Sequence, residues 1–118
     1  MGSIVIGNCE CGYETEELFL GGGMMNYLEV CNFPHYCQEC HAFFIGNIYD
    51  KNLVCENCQS ENIIAYDDKR ACTFMEKEVF NDYAKDTIGR DLKLSATNNL
   101  CPQCKNYSLN FSSIGIWD

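Results

Sequence analysis

Apolar residues along this chain come in short runs broken by glycine, asparagine or charged residues, and most runs are too brief for helices. Ser3–Ile6 reads as a short strand, and Leu18-Phe19-Leu20 as another. Ala42–Ile45 and Ile48-Tyr49 flank Gly46-Asn47, and Asp50-Lys51-Asn52 forms a turn signal before Leu53-Val54. Asn62–Tyr66 reads as a strand closed by Asp67-Asp68, and Leu92 and Leu94 alternate with polar neighbours over 91–95. Tyr107–Phe111 is the last apolar stretch of this kind. Met24–Val30 fits a strand or a short helix equally well. Cys31–Pro34 reads as a loop, with Pro34 holding Phe33 extended.

One segment breaks the pattern. Phe74, Met75, Val79, Phe80 and Tyr83 recur at three- and four-residue steps, and Thr73 and Glu76 have the spacing of a capping box. Gly89 supplies a stop, so the pattern predicts an inserted helix over about 74–88. Gly21-Gly22-Gly23 has no Gly-Lys-Ser/Thr after it and reads as a turn or bulge, with no phosphate loop implied.

Four of these strands share a position: each follows a pair of cysteines. Cys37/Cys40, Cys55/Cys58 and Cys101/Cys104 each enclose two residues, and Cys9/Cys11 encloses one, with Gly12 placed to turn the chain. These eight thiols make two tetrahedral ligand sets, which predicts two Zn²⁺ per chain. Residues 41–54 between the middle hooks are enough for two short strands and a turn. This stretch, about residues 35–66, resembles the zinc ribbons, whose shared feature is C-x2-C, a hairpin and C-x2-C. The resemblance implies a metal-stabilised hairpin and no particular activity.

Two pairings compete. In the nested one the middle hooks share an ion while Cys9/Cys11 join Cys101/Cys104; in the sequential one Cys9/Cys11 pair with Cys37/Cys40. The close spacing of the middle hooks favours nesting, because loop closure alone discriminates weakly. The fold expected is a small metal-stabilised, β-rich (α+β) protein. It forms one compact domain over 1–118, with an inner ribbon at 35–66, an outer ribbon-like unit from 1–20 plus 98–118, and the inserted helical segment at 67–97.

His35 and His41 flank the second hook and read as surface or packing residues, and Cys31 and Cys72 as buried spectators. Rubredoxin-like iron would use the same thiols, but no second redox feature accompanies them. Closed thiolate sets leave no open metal position, and no other catalytic set is visible, so no enzymatic activity is expected.

Composition adds compartment and charge. Ten cysteines in tight hooks, after a start lacking a basic segment and a long apolar one, point to reduced thiols and the cytoplasm. Ile6 stands where a myristoylation signal has Ser or Thr. No apolar run approaches the roughly 18 residues of a membrane span. The net charge is −9, and residues 1–62 hold nine carboxylates against the single base Lys51. Two tetrathiolate zinc sites would take the charge to about −13, which disfavours nucleic acid. The function expected is that of a zinc-binding protein–protein adaptor whose acidic face suits a basic partner surface. A transcription-type ribbon and a thiolate-based redox or metal-handling protein are the alternatives.

Overall fold

A computed structural model describes residues 2–22, 29–82 and 92–117. Eight strands follow in order: β1 (Gly2–Cys9), β2 (Leu18–Gly21), β3 (Asn32–Cys37), β4 (Phe43–Asn47), β5 (Ile63–Ala65), β6 (Glu78–Asp82), β7 (Leu92–Ser95) and β8 (Leu109–Trp117). Six of them form one antiparallel sheet in the order β4-β3-β2-β1-β8, with β5 also paired to β3, while β6 and β7 make a separate two-stranded sheet. Among the described residues there is no α-helix, so none is long and apolar enough to cross a membrane.

Period-two alternation accounts for the strands that the sequence announces. Leu18 and Leu20 point into the core while Phe19 stays 45% exposed between them. Leu92 and Leu94 are fully buried on either side of exposed Lys93, and Leu109 and Phe111 are buried around Asn110. The aromatic rings of Phe43, Tyr66 and Phe111 meet at centroid distances of 5.4, 6.0 and 6.2 Å. Tyr66 is fully buried, and its hydroxyl donates to the Leu100 carbonyl at 2.7 Å, so the polar tip is satisfied.

Three expectations need correction. Residues 74–82 are not helical: β6 occupies Glu78–Asp82 and pairs with β7, Phe80 lying opposite Leu94 and Asn81 opposite Lys93. Residues 83–88 of the expected helix lie outside the described residues. Val79 and Phe80 suit a strand, and the nonlocal pairing with β7 places Phe80 6.1 Å from the Phe33 ring. A one-sided helical face would have covered Phe74, which is 64% exposed. Thr73 does not cap; its amide donates to the Asn98 carbonyl.

The second correction is Cys31–Pro34, which is not a loop beyond Cys31 but opens into β3. Phe33 and Pro34 are buried there, and Pro34 is tolerated for a specific reason. β2 pairs with β3 only at Asn32, and β5 begins its pairing at His35, so Pro34 sits where one edge changes partner. Its opposite number on β4 is Ile45. The Cys37 amide donates to the Ala42 carbonyl, and alternation from that bonded pair makes Pro34–Ile45 a non-hydrogen-bonded one. The missing N–H is therefore not needed.

Third, no strand forms at Ile48-Tyr49 or Leu53-Val54. The hairpin is made by β3 and β4 around the first middle hook, and the Asp50 amide bonds back to Asn47 to turn the chain. Met24–Leu28 and Gly23 lie outside the described residues; Gly21 ends β2 at a φ of 83°.

β1 is flanked by β2 and by β8, so the first and last described strands run side by side, with Cys9 opposite Leu109. Replacing Leu109 by Ala is expected to cost about 2–5 kcal/mol. Ile116 on the same strand is 75% exposed, and Ile116→Ala is expected to change stability by no more than about 0.5 kcal/mol. Equilibrium denaturation of both variants measures the contrast.

Candidate metal centres

Each cysteine hook is a tight turn with the same bonding. In the hook at Cys37 the His41 amide donates to the Cys37 carbonyl, and the Cys37 amide donates to Ala42. The hook at Cys55 repeats this with Gln59 and Ser60, and the hook at Cys101 with Lys105 and Asn106. The hook at Cys9 is one residue shorter: the Gly12 amide donates to Cys9, and Cys9 to Tyr13. In every case the residue just after the second cysteine has positive φ: His41 at 64°, Gln59 at 60°, Lys105 at 64° and Gly12 at 102°. Only Gly12 advertises this in the sequence. The other three hold a left-handed conformation that their side chains disfavour, and the turn's own hydrogen bonds hold them in it.

β1 and β8 carry the first and last hooks to one end of their ladder. Sγ of Cys9 lies 3.8 Å from that of Cys104, and Cys11 lies 3.6 Å from Cys101. The β3–β4 turn and the segment before β5 do the same for the middle pair, with Cys37–Cys58 at 3.6 Å and Cys40–Cys55 at 3.5 Å. All sulfurs within each group of four lie within 4.8 Å of one another. The grouping is nested, not sequential. No disulfide joins them, and all ten cysteines are thiols.

The spacing suits a metal. Four sulfurs at about 2.3 Å from a tetrahedral ion stand about 3.8 Å apart, close to the separations found here. A disulfide would need about 2.05 Å. One sulfur of each group is well exposed (Cys11, Cys58), while Cys9, Cys101, Cys37 and Cys55 are buried, so both groups sit at the sheet's rim with one side to solvent.

Neighbouring donors favour thiolate at particular positions. The Asn57 amide side chain donates to Cys40 Sγ at 3.4 Å and, with the backbone bond at Ala42 assisting, holds that thiol down at about 6 against burial. In the other group the backbone bond at Asn106 and the Ser108 hydroxyl hold Cys104 at about 6. Their partners move the opposite way. A backbone bond at Ser60 lowers Cys58, yet burial and the sulfurs of Cys40, Cys37 and Cys55 push it up to about 12. Burial raises Cys101 to about 12, with Cys11 and Cys104 adding to it. Four thiols in so small a volume cannot all ionise without a cation, and each group could hold one.

Further polar groups border the sulfurs. Ser108 Oγ lies 3.0 Å from Cys9 Sγ and 3.7 Å from Cys104 Sγ, and Gln103 Nε2 lies 3.9 Å from Cys11 Sγ. Asn57, Gln103 and Ser108 were not singled out by sequence reasoning, although Asn57 and Gln103 lie inside the hooks themselves.

The histidines are outside both groups. His35 is 3% exposed; its Nδ1 is 2.8 Å from the Phe33 carbonyl, and its ring stacks on Phe44 at 5.5 Å. His41 Nδ1 meets the Tyr36 hydroxyl at 2.6 Å. Cys31 and Cys72 are likewise buried away from the groups, Cys72 near the carbonyls of Phe74 and Thr97.

With metal bound, Cys104→Ser is expected to expose Cys9, Cys11 and Cys101 to alkylation while Cys37, Cys40, Cys55 and Cys58 stay protected. Cys31→Ser and Cys72→Ser are expected to leave the metal count unchanged. Mass mapping of alkylated peptides checks both, and exposure of Cys55 and Cys58 in the Cys104 variant would contradict the nested grouping. Comparison with protein-family models, curated proteins and solved structures finds no match, so the two centres stand on their own geometry.

Proposed function

We propose that the chain is a zinc-stabilised scaffold that carries no catalytic activity and works by presenting a surface to another protein, in the reducing environment of the cytoplasm. The observation that carries the metal reading is the pair of four-sulfur groups with tetrahedral edge lengths. Cys9, Cys11, Cys101 and Cys104 would hold one Zn²⁺, and Cys37, Cys40, Cys55 and Cys58 the other. All four positions of each tetrahedron are taken by protein sulfur, which leaves none for a water or substrate and suits structural metal. A role among proteins is favoured over one on nucleic acid by the net charge of −9, which repels a phosphate backbone.

Bound metal would contribute on the order of 10 kcal/mol or more, comparable to the whole stability of a small domain at roughly 5–15 kcal/mol. Purified protein is expected to contain two zinc ions per chain by elemental analysis, without a visible absorption band from iron. A strong chelator at neutral pH is expected to abolish the near-ultraviolet signal of the packed aromatic rings. A chelated, metal-free protein that keeps its melting transition would contradict a structural role for the metal.

A further inference from the structure

The two outer edges of the large sheet differ. β8 is partly covered: the Phe111 amide donates to Ala96, Leu109 exchanges bonds with Asn99, and a register shift opposite Ile4 and Val5 bends its far half. β4 lies at the other end and pairs, among the described residues, only with β3. Alternation from the Cys37–Ala42 bond turns the N–H and C=O groups of Phe44 and Gly46 toward β3, and those of Phe43 and Ile45 outward. The strand reads Phe43-Phe44-Ile45-Gly46-Asn47, with no lysine, proline or other charge to discourage strand addition.

That edge opens onto a cleft of about 360 Å³ between β4 and the returning segment 13–18. Phe43, Phe44 and Ile45 line it in succession although Phe44 turns its ring to the other face of β4, so the strand's edge faces the cleft as well as the side chains of Phe43 and Ile45. Leu18 and Tyr13 make the opposing apolar wall. Glu14, Glu16 and Glu56 stand around the rim, all exposed. Among the described residues these carboxylates do not converge into a cation-binding group; only the cysteines do. Three negative charges thus ring a slot of mixed polar and apolar lining alongside a strand edge that is unpaired among the described residues.

We propose that this cleft takes an extended basic-and-apolar segment of a partner protein, which adds as a strand to β4 while its lysine or arginine side chains meet Glu14, Glu16 and Glu56. Each structural feature selects part of that occupant. The outward N–H and C=O groups of Phe43 and Ile45 call for a backbone in strand geometry. Side chains of alternate residues would enter the slot against Leu18, Phe43 and Ile45, and the rim selects positive charge. A second copy of this chain is a poor occupant, because edge-to-edge pairing would bring the two acidic rims together. The docking mode rests on the protein-binding role proposed above and specifies its site and partner chemistry.

The test uses zinc-loaded full-length protein, isotope-labelled for amide shift mapping, and the capped peptide Arg-Val-Arg-Val-Arg-Val-Arg. Two further peptides carry backbone N-methyl groups at the odd or the even positions, which keeps the charge and blocks one hydrogen-bonding edge. The expected result is shift changes concentrated at Glu14–Leu18, Phe43–Ile45 and Glu56, with at least one N-methylated peptide binding about tenfold more weakly. Combined Glu14→Gln, Glu16→Gln and Glu56→Gln substitution is expected to weaken the parent peptide by about tenfold at low salt, since three exposed ion pairs are lost. That variant should retain two zinc ions and the parental melting temperature.

Absence of binding at millimolar peptide would overturn the proposal. So would shifts scattered over the acidic surface, or equal affinity for all three peptides, which would mark charge attraction without strand pairing. In each of these cases a measured two zinc ions per chain leaves the scaffold reading intact. A protein that contains no metal yet binds the peptide at β4 would overturn the zinc reading and spare the docking site.

Discussion

Four sulfur atoms held within van der Waals reach of one another are stable together as thiols, but they cannot all be thiolates unless something positive lies between them. Each group here brings its thiols to 3.5–3.8 Å contacts, where neighbouring donors favour ionisation at Cys40 and Cys104 and burial and crowding oppose it at Cys58 and Cys101. A bound Zn²⁺, as proposed above, would favour the ionised form of all four and hold them together. The turns that aim the sulfurs are themselves costly, since His41, Gln59 and Lys105 adopt positive φ. Backbone hydrogen bonds alone offset part of that cost; metal–sulfur bonds would secure the rest.

The rest of the sheet depends on where these clamps sit. The outer group lies where the end of β1 meets the start of β8, the longest ladder among the described residues, so a metal there would close the chain near its two ends. The inner group fastens the β3–β4 turn to the segment that leads into β5, and both strands then share β3. β2 links the halves through the contact of Gly21 with Asn32, and Tyr66 reinforces the link from the β5 side by bonding to Leu100, next to Cys101. A thin core of short strands is thereby organised by two fixed points instead of by helix packing.

Such an arrangement is legible in sequence to the extent that it is local. Hook spacing places the sulfurs, because ligand geometry constrains residues two or three apart, and the close middle hooks point to the nested grouping. Alternating leucines at Leu18/Leu20 and Leu92/Leu94 mark strands for the same local reason. What could not be read depends on distant partners. Glu78–Asp82 becomes a strand because β7 lies beside it, overriding the helix-like spacing of Phe74, Met75 and Val79. Asn32–Cys37 becomes a central strand because three neighbours supply bonds, and Pro34 is accommodated by the changeover between β2 and β5. Asn57, Gln103 and Ser108 acquire meaning only once the sulfurs beside them are grouped.

The same clamps explain why an acidic rim can be specific. Glu56 lies inside the hook at Cys55, and Tyr13 and Glu14 directly follow the hook at Cys9. Two hydrogen-bonded knuckles on different parts of the sheet therefore place the backbone of Glu14 and Glu56 on either side of the β4 cleft. Flexible glutamates on loose loops would lose side-chain and backbone freedom on meeting a cation, and little net attraction would survive. Here the backbone beneath them is already ordered, so more of the electrostatic attraction remains available for binding. With zinc bound, the net negative charge of each tetrathiolate would add to the field over the same face, falling off within about 10 Å at ordinary salt. If metal binds and the proposed partner docks, the clamps would contribute to recognition without touching the partner, by fixing the spacing of the charges and the edge of the strand that the partner would meet.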